Sequence, residues 1–248
     1  MLFRSRGGGA EGQFIARLEG RHRTTAGNAL RAAVLGANDG LVSNLSLVMG
    51  VAGANLGARE IVITGLAGLL AGAGSMALGE WLSVQSSREL YEKQIDVEME
   101  EIRANPAEEA DELALIYEAK GLSETQAREV ATRLLANEAS AIDTLAREEL
   151  GIDPNELGGS ALQAAATSFV LFAVGAIIPV APFLLLTGQT AVVTASAASA
   201  VGLFAIGAAI TILTGRPVWF SGARQVGVGL AAAALTFGIG RLIGASLG

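Results

Sequence analysis

The chain has 248 residues, of which 51% are hydrophobic and only 17% are charged, with a formal net charge of −7. A soluble domain carries about a quarter charged residues, so this composition favours a membrane protein. The sequence contains no cysteine, which excludes disulfides, thiolate metal sites, iron–sulfur clusters and cysteine nucleophiles. A single histidine, His22, leaves carboxylates as the only plentiful metal-binding groups.

The charges are unevenly distributed along the chain and divide it into four parts. Residues 1–30 form a basic segment, which we expect to be cytoplasmic. Residues 31–85 are apolar, and residues 86–157 hold 19 of the 24 acids but only seven bases. Residues 158–248 contain no acid and three arginines. We therefore predict two membrane helices, a soluble acidic domain and a second membrane block.

Five segments are long and apolar enough to span a bilayer, which needs about 20 residues. The predicted fold is all-α: an integral membrane protein with five transmembrane helices and a helical insert between spans two and three. Arg59 and Glu60 are predicted to lie in the turn between the first two spans. The five predicted spans cover residues 31–55, 60–84, 160–186, 190–214 and 222–247.

The distribution of arginine and lysine predicts the orientation of the spans. Most basic residues fall on one side if the N-terminal segment is cytoplasmic, and only Arg59 and Arg241 then fall outside. The acidic insert is therefore predicted to be cytoplasmic and the C-terminus external.

The insert is predicted to consist of helical hairpins. Its first helix continues from span two and stops near Asn105, because Pro106 disfavours helix at the residue before it. Ser123 and Gln126 fit a capping box that opens a later helix. A last helix is predicted to run to Leu150.

Asp39 lies about nine residues into the first span. An unpaired charge at that depth costs from about 2.5 kcal/mol upward, so an acid inside a membrane span indicates a functional site. The alternative is a carboxylate near the interface that satisfies a helix break at Gly40.

Met76 and Glu80 are four residues apart and share one face of span two. A soft sulfur beside hard oxygens suits a late first-row divalent ion better than Mg²⁺ or Ca²⁺. Methionine alone is more often a packing residue, as we predict for Met49. Met76 and Glu80 therefore indicate a metal site only if Asp39 of the neighbouring helix lies beside them.

The insert contains two pairs of glutamates at helical spacing, Glu98 with Glu101 and Glu109 with Glu112. The short turn at Pro106 could bring these four carboxylates together, and Glu148 and Glu149 on the last helix could add a fifth ligand. Such clusters bind divalent cations and raise carboxyl pKa values. The alternative is a solvated acidic face.

Several other functions are excluded. A ferritin-like di-iron site needs Glu-x-x-His pairs, and the glycine runs follow no strand, which argues against nucleotide binding. The acidic soluble part argues against nucleic acid. No nucleophile–base pair can be assembled, so we predict no enzyme activity and no cofactor.

Two motifs resemble the vacuolar iron transporter family. Residues 36–54, GANDGLVSNLSLVMGVAGA, resemble its first span, and residues 72–80, GAGSMALGE, resemble its second. IIPVAPF at 177–183 and the acidic insert ending in Glu148-Glu149-Leu-Gly are also similar.

The resemblance implies a five-span homodimer in a lipid bilayer that moves Fe²⁺, and also Mn²⁺, out of the cytoplasm in exchange for protons. It implies a pore between the subunits with Asp39 and Met76 as membrane metal sites. It makes the insert a metal-collecting domain, using Glu98, Glu101, Glu109, Glu112 and Glu149.

The predicted function is therefore a proton-coupled exporter of divalent metal. In this function Asp39 and Glu80 are the candidates for proton exchange, and Met76 is the candidate for selectivity toward Fe²⁺ over harder ions. The alternatives are a membrane-anchored metal sensor or scaffold, which leaves Asp39 unexplained, and a passive cation channel without proton coupling. The short, plain architecture, in which we find no targeting sequence, predicts a bacterial plasma membrane.

Overall fold

A computed structural model of the protein describes residues 33–153 and 159–247. The described residues form helices and loops, without strands. They separate into two compact units: the first comprises the residues up to Leu78 and from Ala165 onward, and the second is Gly79–Ala164. The predicted basic segment 1–30 lies outside the described residues.

Eight helices are described. Those long and apolar enough to cross a membrane are α1 (Ala33–Gly53), α2 (Ala58–Ala104), α6 (Ala161–Leu185), α7 (Gly188–Thr214) and α8 (Val218–Leu247). The shorter helices are α3 (Pro106–Ala119), α4 (Glu124–Leu135) and α5 (Glu138–Glu148). The predicted all-α membrane fold with five spanning helices is confirmed.

Helix α2 is much longer than a bilayer requires. Its 47 residues extend for about 70 Å at 1.5 Å per residue, whereas the hydrocarbon layer is about 30 Å thick. The apolar residues are concentrated in its first half, and most of its acids lie in the second half.

The turn between α1 and α2 differs from the prediction. It consists of residues 54–57, with Asn55 in the left-handed region at a φ of 61°, a conformation that asparagine tolerates better than most residues. Arg59 and Glu60 lie instead in the first turn of α2, where Glu60 is favourable beside the positive end of the helix dipole.

The first unit contains most of the apolar helices and is called the membrane unit below. It is held together by an apolar core and by close helix crossings. Leu45, Val48, Ile61 and Val180 are buried in that core together with Met49, which agrees with its predicted packing role.

Helices α1 and α6 touch through their backbones at two glycines. A Cβ added at Gly40 would overlap the carbonyl oxygen of Phe172, and one at Gly175 would overlap the carbonyl oxygen of Ala37. Only glycine permits this approach.

The second unit folds around its own small apolar core. Leu113, Ala127, Ala131 and Leu145 are fully buried there, together with the nearly buried Ile102. Helix α2 ends at Ala104, directly before Asn105 and Pro106, as predicted.

The predicted capping box at the start of α4 is also present. The backbone N–H of Ser123 donates to Oε1 of Gln126 at 3.2 Å. Helix α5 ends at Glu148 rather than at Leu150.

Candidate metal sites

Three glutamates of the second unit converge on one point. Carboxylate oxygens of Glu98, Glu109 and Glu149 all lie within 4.8 Å of one another. Glu98 and Glu109 are buried, with exposed fractions of 4% and 6%, and Glu149 is exposed. Three carboxylates at this spacing can coordinate one divalent cation through oxygen.

Local structure explains how these three side chains meet. Pro106 begins α3 directly after α2, so Glu98 and Glu109 lie on consecutive helices joined by Asn105. Glu149 follows the last residue of α5, and its backbone N–H donates to the carbonyl oxygen of Leu145 at 2.9 Å. Because Leu145 is fully buried in the core of the unit, the end of α5 is fixed against the other two helices.

The proximity of these acids changes their ionisation. Burial, followed by repulsion from Glu149, Glu109 and Glu101, raises the pKa of Glu98 from 4.5 to about 7. Burial also raises the pKa of Glu109, with Glu112 as its strongest repelling neighbour. Repulsion between these carboxylates makes their ionised forms unfavourable, and a bound cation would offset that repulsion.

The remaining glutamates of the insert divide between the cluster and its surroundings. Although the Glu149 residue is exposed as a whole, partial desolvation of its carboxyl group, then repulsion from Glu112 and Glu101, raises its pKa. Both of these acids therefore act on the cluster, although neither belongs to the close group of three. Glu148 instead forms an ion pair with Lys120. Of these two adjacent acids, only Glu149 belongs to the close group of three among the described residues.

A cavity of about 410 Å³ lies in the membrane unit beside Asp39. Helix α1 contributes Asp39, Ser43 and Asn44, and helix α2 contributes Ser75 and Met76. Oxygen and sulfur atoms of these side chains are the polar groups of an otherwise apolar wall.

Asp39 is exposed in the single chain. It shares one face of α1 with Leu35, Ser43 and Leu47, all of which are exposed. An exposed carboxylate in a spanning helix is unfavourable against lipid, so this face requires either water or protein beside it.

Met76 and Glu80 differ in their surroundings. The end of the Met76 side chain lies beside α1, because a Cβ added at Gly36 would be 3.5 Å from Met76 Cε. Glu80 is half-buried and belongs to the second unit, and it is not among the described residues that line the cavity. Its predicted role with Met76 stays a prediction.

Sequence reasoning missed the structural role of Asn44, which lies within the motif of the first span. Its exposed fraction is 2%, and Nδ2 donates to the carbonyl oxygens of Gly65 and Ala176, at 3.1 and 2.6 Å. Asparagine at an otherwise apolar position of a helix was the only signal. Its partners lie 21 and 132 residues away.

The fold and its apolar surface define the class: an all-α, multi-pass membrane protein with a helical insert. A model of the VIT family matches residues 30–241. The vacuolar iron transporter of Centaurea cyanus is 31% identical over 236 residues, which cover 94% of this chain and 95% of that protein. Vacuolar iron transporter 1 of Arabidopsis thaliana is 32% identical over 223 residues, 88% of each chain. The chain therefore belongs to the VIT family, a family of transporters and not of enzymes.

A third relative, the vacuolar iron transporter of Acanthamoeba castellanii, is 42% identical over 134 residues, 53% of this chain and 48% of that protein. The resemblance read from the first two spans is confirmed by the family match.

Proposed function

We propose that this protein exports Fe²⁺, and also Mn²⁺, from the cytoplasm in exchange for protons. The family match and the names of the relatives support an iron cargo. The observation that carries the proposal is the convergence of Glu98, Glu109 and Glu149 within 4.8 Å in an acidic unit attached to five apolar helices.

The insert collects the ion under this proposal. Its five acids, Glu98, Glu101, Glu109, Glu112 and Glu149, create a negative potential that concentrates cations near it. Because three of them have raised pKa values, protons and metal compete for the same oxygens.

Asp39 and Glu80 carry the exchanged protons in the membrane, and Met76 favours the softer Fe²⁺ over Mg²⁺ and Ca²⁺. Two protons balance the charge of one divalent ion, so a carboxylate that binds either one couples the two flows. The cavity that Asp39 and Met76 share supports a common ion path for these two residues.

The exposed face of α1 supports a homodimer. A second copy placed against Leu35, Asp39, Ser43 and Leu47 would enclose the carboxylate in a pore between the subunits, with lipid around the other helices. Cross-linking of a cysteine placed at Leu47 in native membranes tests this arrangement, since the chain has no cysteine of its own.

We also propose that the insert is cytoplasmic and that the membrane is a bacterial plasma membrane. The excess of basic residues on one side of the spans supports the orientation. The relatives' names refer to the vacuole, so fractionation of the source cells is the test of location.

The transport proposal is tested with the purified protein in liposomes. Fe²⁺ uptake is followed with an acidic lumen and without a pH gradient, for the wild type and for Asp39→Asn. We expect the gradient to accelerate uptake and the variant to lose it. Glu60→Gln is the matched control, because Glu60 is another acid of the membrane unit and does not line the cavity.

Two other results would contradict the proposal. Uptake that ignores the pH gradient identifies a passive cation channel. Absence of uptake, with Fe²⁺ still bound to the full-length protein in detergent, identifies a membrane-anchored sensor or scaffold.

A further inference from the structure

We infer that Asn44 supplies a neutral oxygen ligand, its side-chain carbonyl Oδ1, to the divalent cation in the cavity beside Asp39. The inference rests on the proposed function and adds a residue that determines which metal the cavity prefers. It is based on the hydrogen-bonding geometry of the Asn44 amide.

Both protons of the Asn44 amide are used by the protein. Nδ2 donates to the carbonyl oxygen of Gly65 on α2 and to that of Ala176 on α6. These two bonds fix the amide plane and its orientation, so Oδ1 must point away from both carbonyl groups.

The Oδ1 atom has no hydrogen-bond partner and is buried among the described residues. It faces the backbone of α2 at Gly68, where an added Cβ would lie 2.8 Å away. Asn44 and Gly68 both line the cavity that contains Asp39. A buried acceptor without a partner is unfavourable, and a cation entering the cavity would satisfy it.

The two serines of the cavity also donate their side-chain protons to backbone carbonyl oxygens. Ser43 Oγ donates to the carbonyl oxygen of Asp39 at 2.5 Å, and Ser75 Oγ donates to that of Gly72 at 3.0 Å. Their hydroxyl protons are therefore occupied, and the oxygens keep lone pairs. Ser43, Asn44 and Ser75 thus offer acceptors and no free donor, which favours a cation over an anion or a neutral donor.

The chemistry of the ligands predicts a specific effect on metal preference. Amide oxygen is a hard ligand that suits Mn²⁺, and the Met76 thioether is a softer ligand that suits later ions such as Co²⁺. Removal of the Asn44 oxygen should therefore disfavour Mn²⁺, and removal of the Met76 sulfur should disfavour Co²⁺.

The test measures Mn²⁺ and Co²⁺ uptake by proteoliposomes and compares the ratio of the two rates. We expect Asn44→Leu to lower the Mn²⁺ to Co²⁺ ratio about tenfold, the lower end of what a lost supporting group costs a metal site. Met76→Leu should raise it. Asn38→Leu is the matched control, because Asn38 lies on the same helix, its Oδ1 accepts a hydrogen bond from Gln225, and it does not line the cavity.

The ratio separates a ligand from a structural residue. If Asn44→Leu lowers both rates equally, Asn44 only holds the helices together and the inference is wrong. If Asn44→Leu does not fold, Asn44→Ser and Asn44→Ala are compared instead. The serine hydroxyl restores an oxygen but not the amide, so we expect the Mn²⁺ to Co²⁺ ratio to be lower for Asn44→Ala than for Asn44→Ser. If the wild type transports neither ion, the proposed function fails and this inference fails with it.

Discussion

The buried side chains of Glu98 and Glu109 lie on consecutive helices with carboxylate oxygens within 4.8 Å of each other, and this proximity contributes to the raised pKa of Glu98. A carboxylic acid can donate to a carboxylate, but two carboxylates repel. The pair is therefore stable either with one proton or with a cation between its oxygens. This relationship predicts that the stability of the second unit depends on both pH and divalent metal.

The stability of the metal-free protein should depend on pH. The pKa of Glu98 is about 7 in the folded protein and 4.5 ordinarily, so the folded state binds more protons in that window. Stability therefore falls as the pH rises from about 4.5 through 7. We expect the Tm of the full chain in detergent with chelator to be roughly 5 °C higher at pH 5.5 than at pH 8.

Glu98→Gln should remove most of this dependence, because the amide stays neutral at every pH. A variant that keeps the full pH dependence of the wild type would show that other groups cause it.

Divalent metal should reverse the effect of high pH. At pH 7.5 we expect Mn²⁺ to raise the Tm, and Glu109→Gln to weaken Mn²⁺ binding at least tenfold, equivalent to about 1.4 kcal/mol. Isothermal titration of the full chain measures the affinity. Glu129→Gln is the control, since Glu129 is an exposed acid of the same unit that pairs with Arg133; equal losses in the two variants would rule out a defined site.

The loop after α5 should contribute to metal affinity without binding metal. Arg147 donates through both terminal nitrogens to Asp153 at 2.7 Å and through Nε to Asp143 at 3.1 Å. These bonds hold the segment that carries Glu149. Arg147→Lys loses the paired geometry, and we expect weaker Mn²⁺ binding, by less than in Glu149→Gln.

The control for this change is Arg133→Lys, because Arg133 pairs with Glu129 one turn earlier on α4 and does not contact Glu98, Glu109 or Glu149 among the described residues. Unchanged Mn²⁺ affinity in Arg147→Lys would show that the loop does not position Glu149.

The crossing of α1 and α6 should not tolerate a side chain. Gly40→Ala places a methyl group against the carbonyl oxygen of Phe172, and we expect a loss of about 1–3 kcal/mol. Gly74→Ala is the matched control, since nothing lies within 4 Å of its added Cβ and alanine favours helix. Thermal unfolding in detergent compares the two, and a Gly40→Ala protein as stable as Gly74→Ala would contradict the close crossing.

The sequence predicted the features that depend on short-range chemistry. Pro106 fixes the end of α2, and Ser123 with Gln126 fixes the start of α4, because each effect acts within a few residues. The five spans follow from apolar length alone. The turn at Arg59 and Glu60 was placed wrongly, since charge suggested a loop while the helix dipole accommodates Glu60 in its first turn.

The arrangement of the sites depended on contacts between distant residues. No local pattern shows that Lys120 pairs with Glu148 and thereby leaves Glu149 to the cluster. Nor does any pattern show that Asn44 reaches Ala176, because their hydrogen bond depends on how α1 packs against α6.

The backbone contact between α1 and α6 also bears on how this protein could be redesigned. Gly40, next to Asp39, contacts main-chain atoms of α6, which are the same for every amino acid, so the backbone position of Asp39 does not depend on neighbouring side chains. Ser43, Ser75 and Met76 can therefore be exchanged for other ligands while Asp39 stays in place. The cavity thus combines one acid at a fixed backbone position with neighbouring side chains that can be substituted, which makes it suited to directed changes of ion preference.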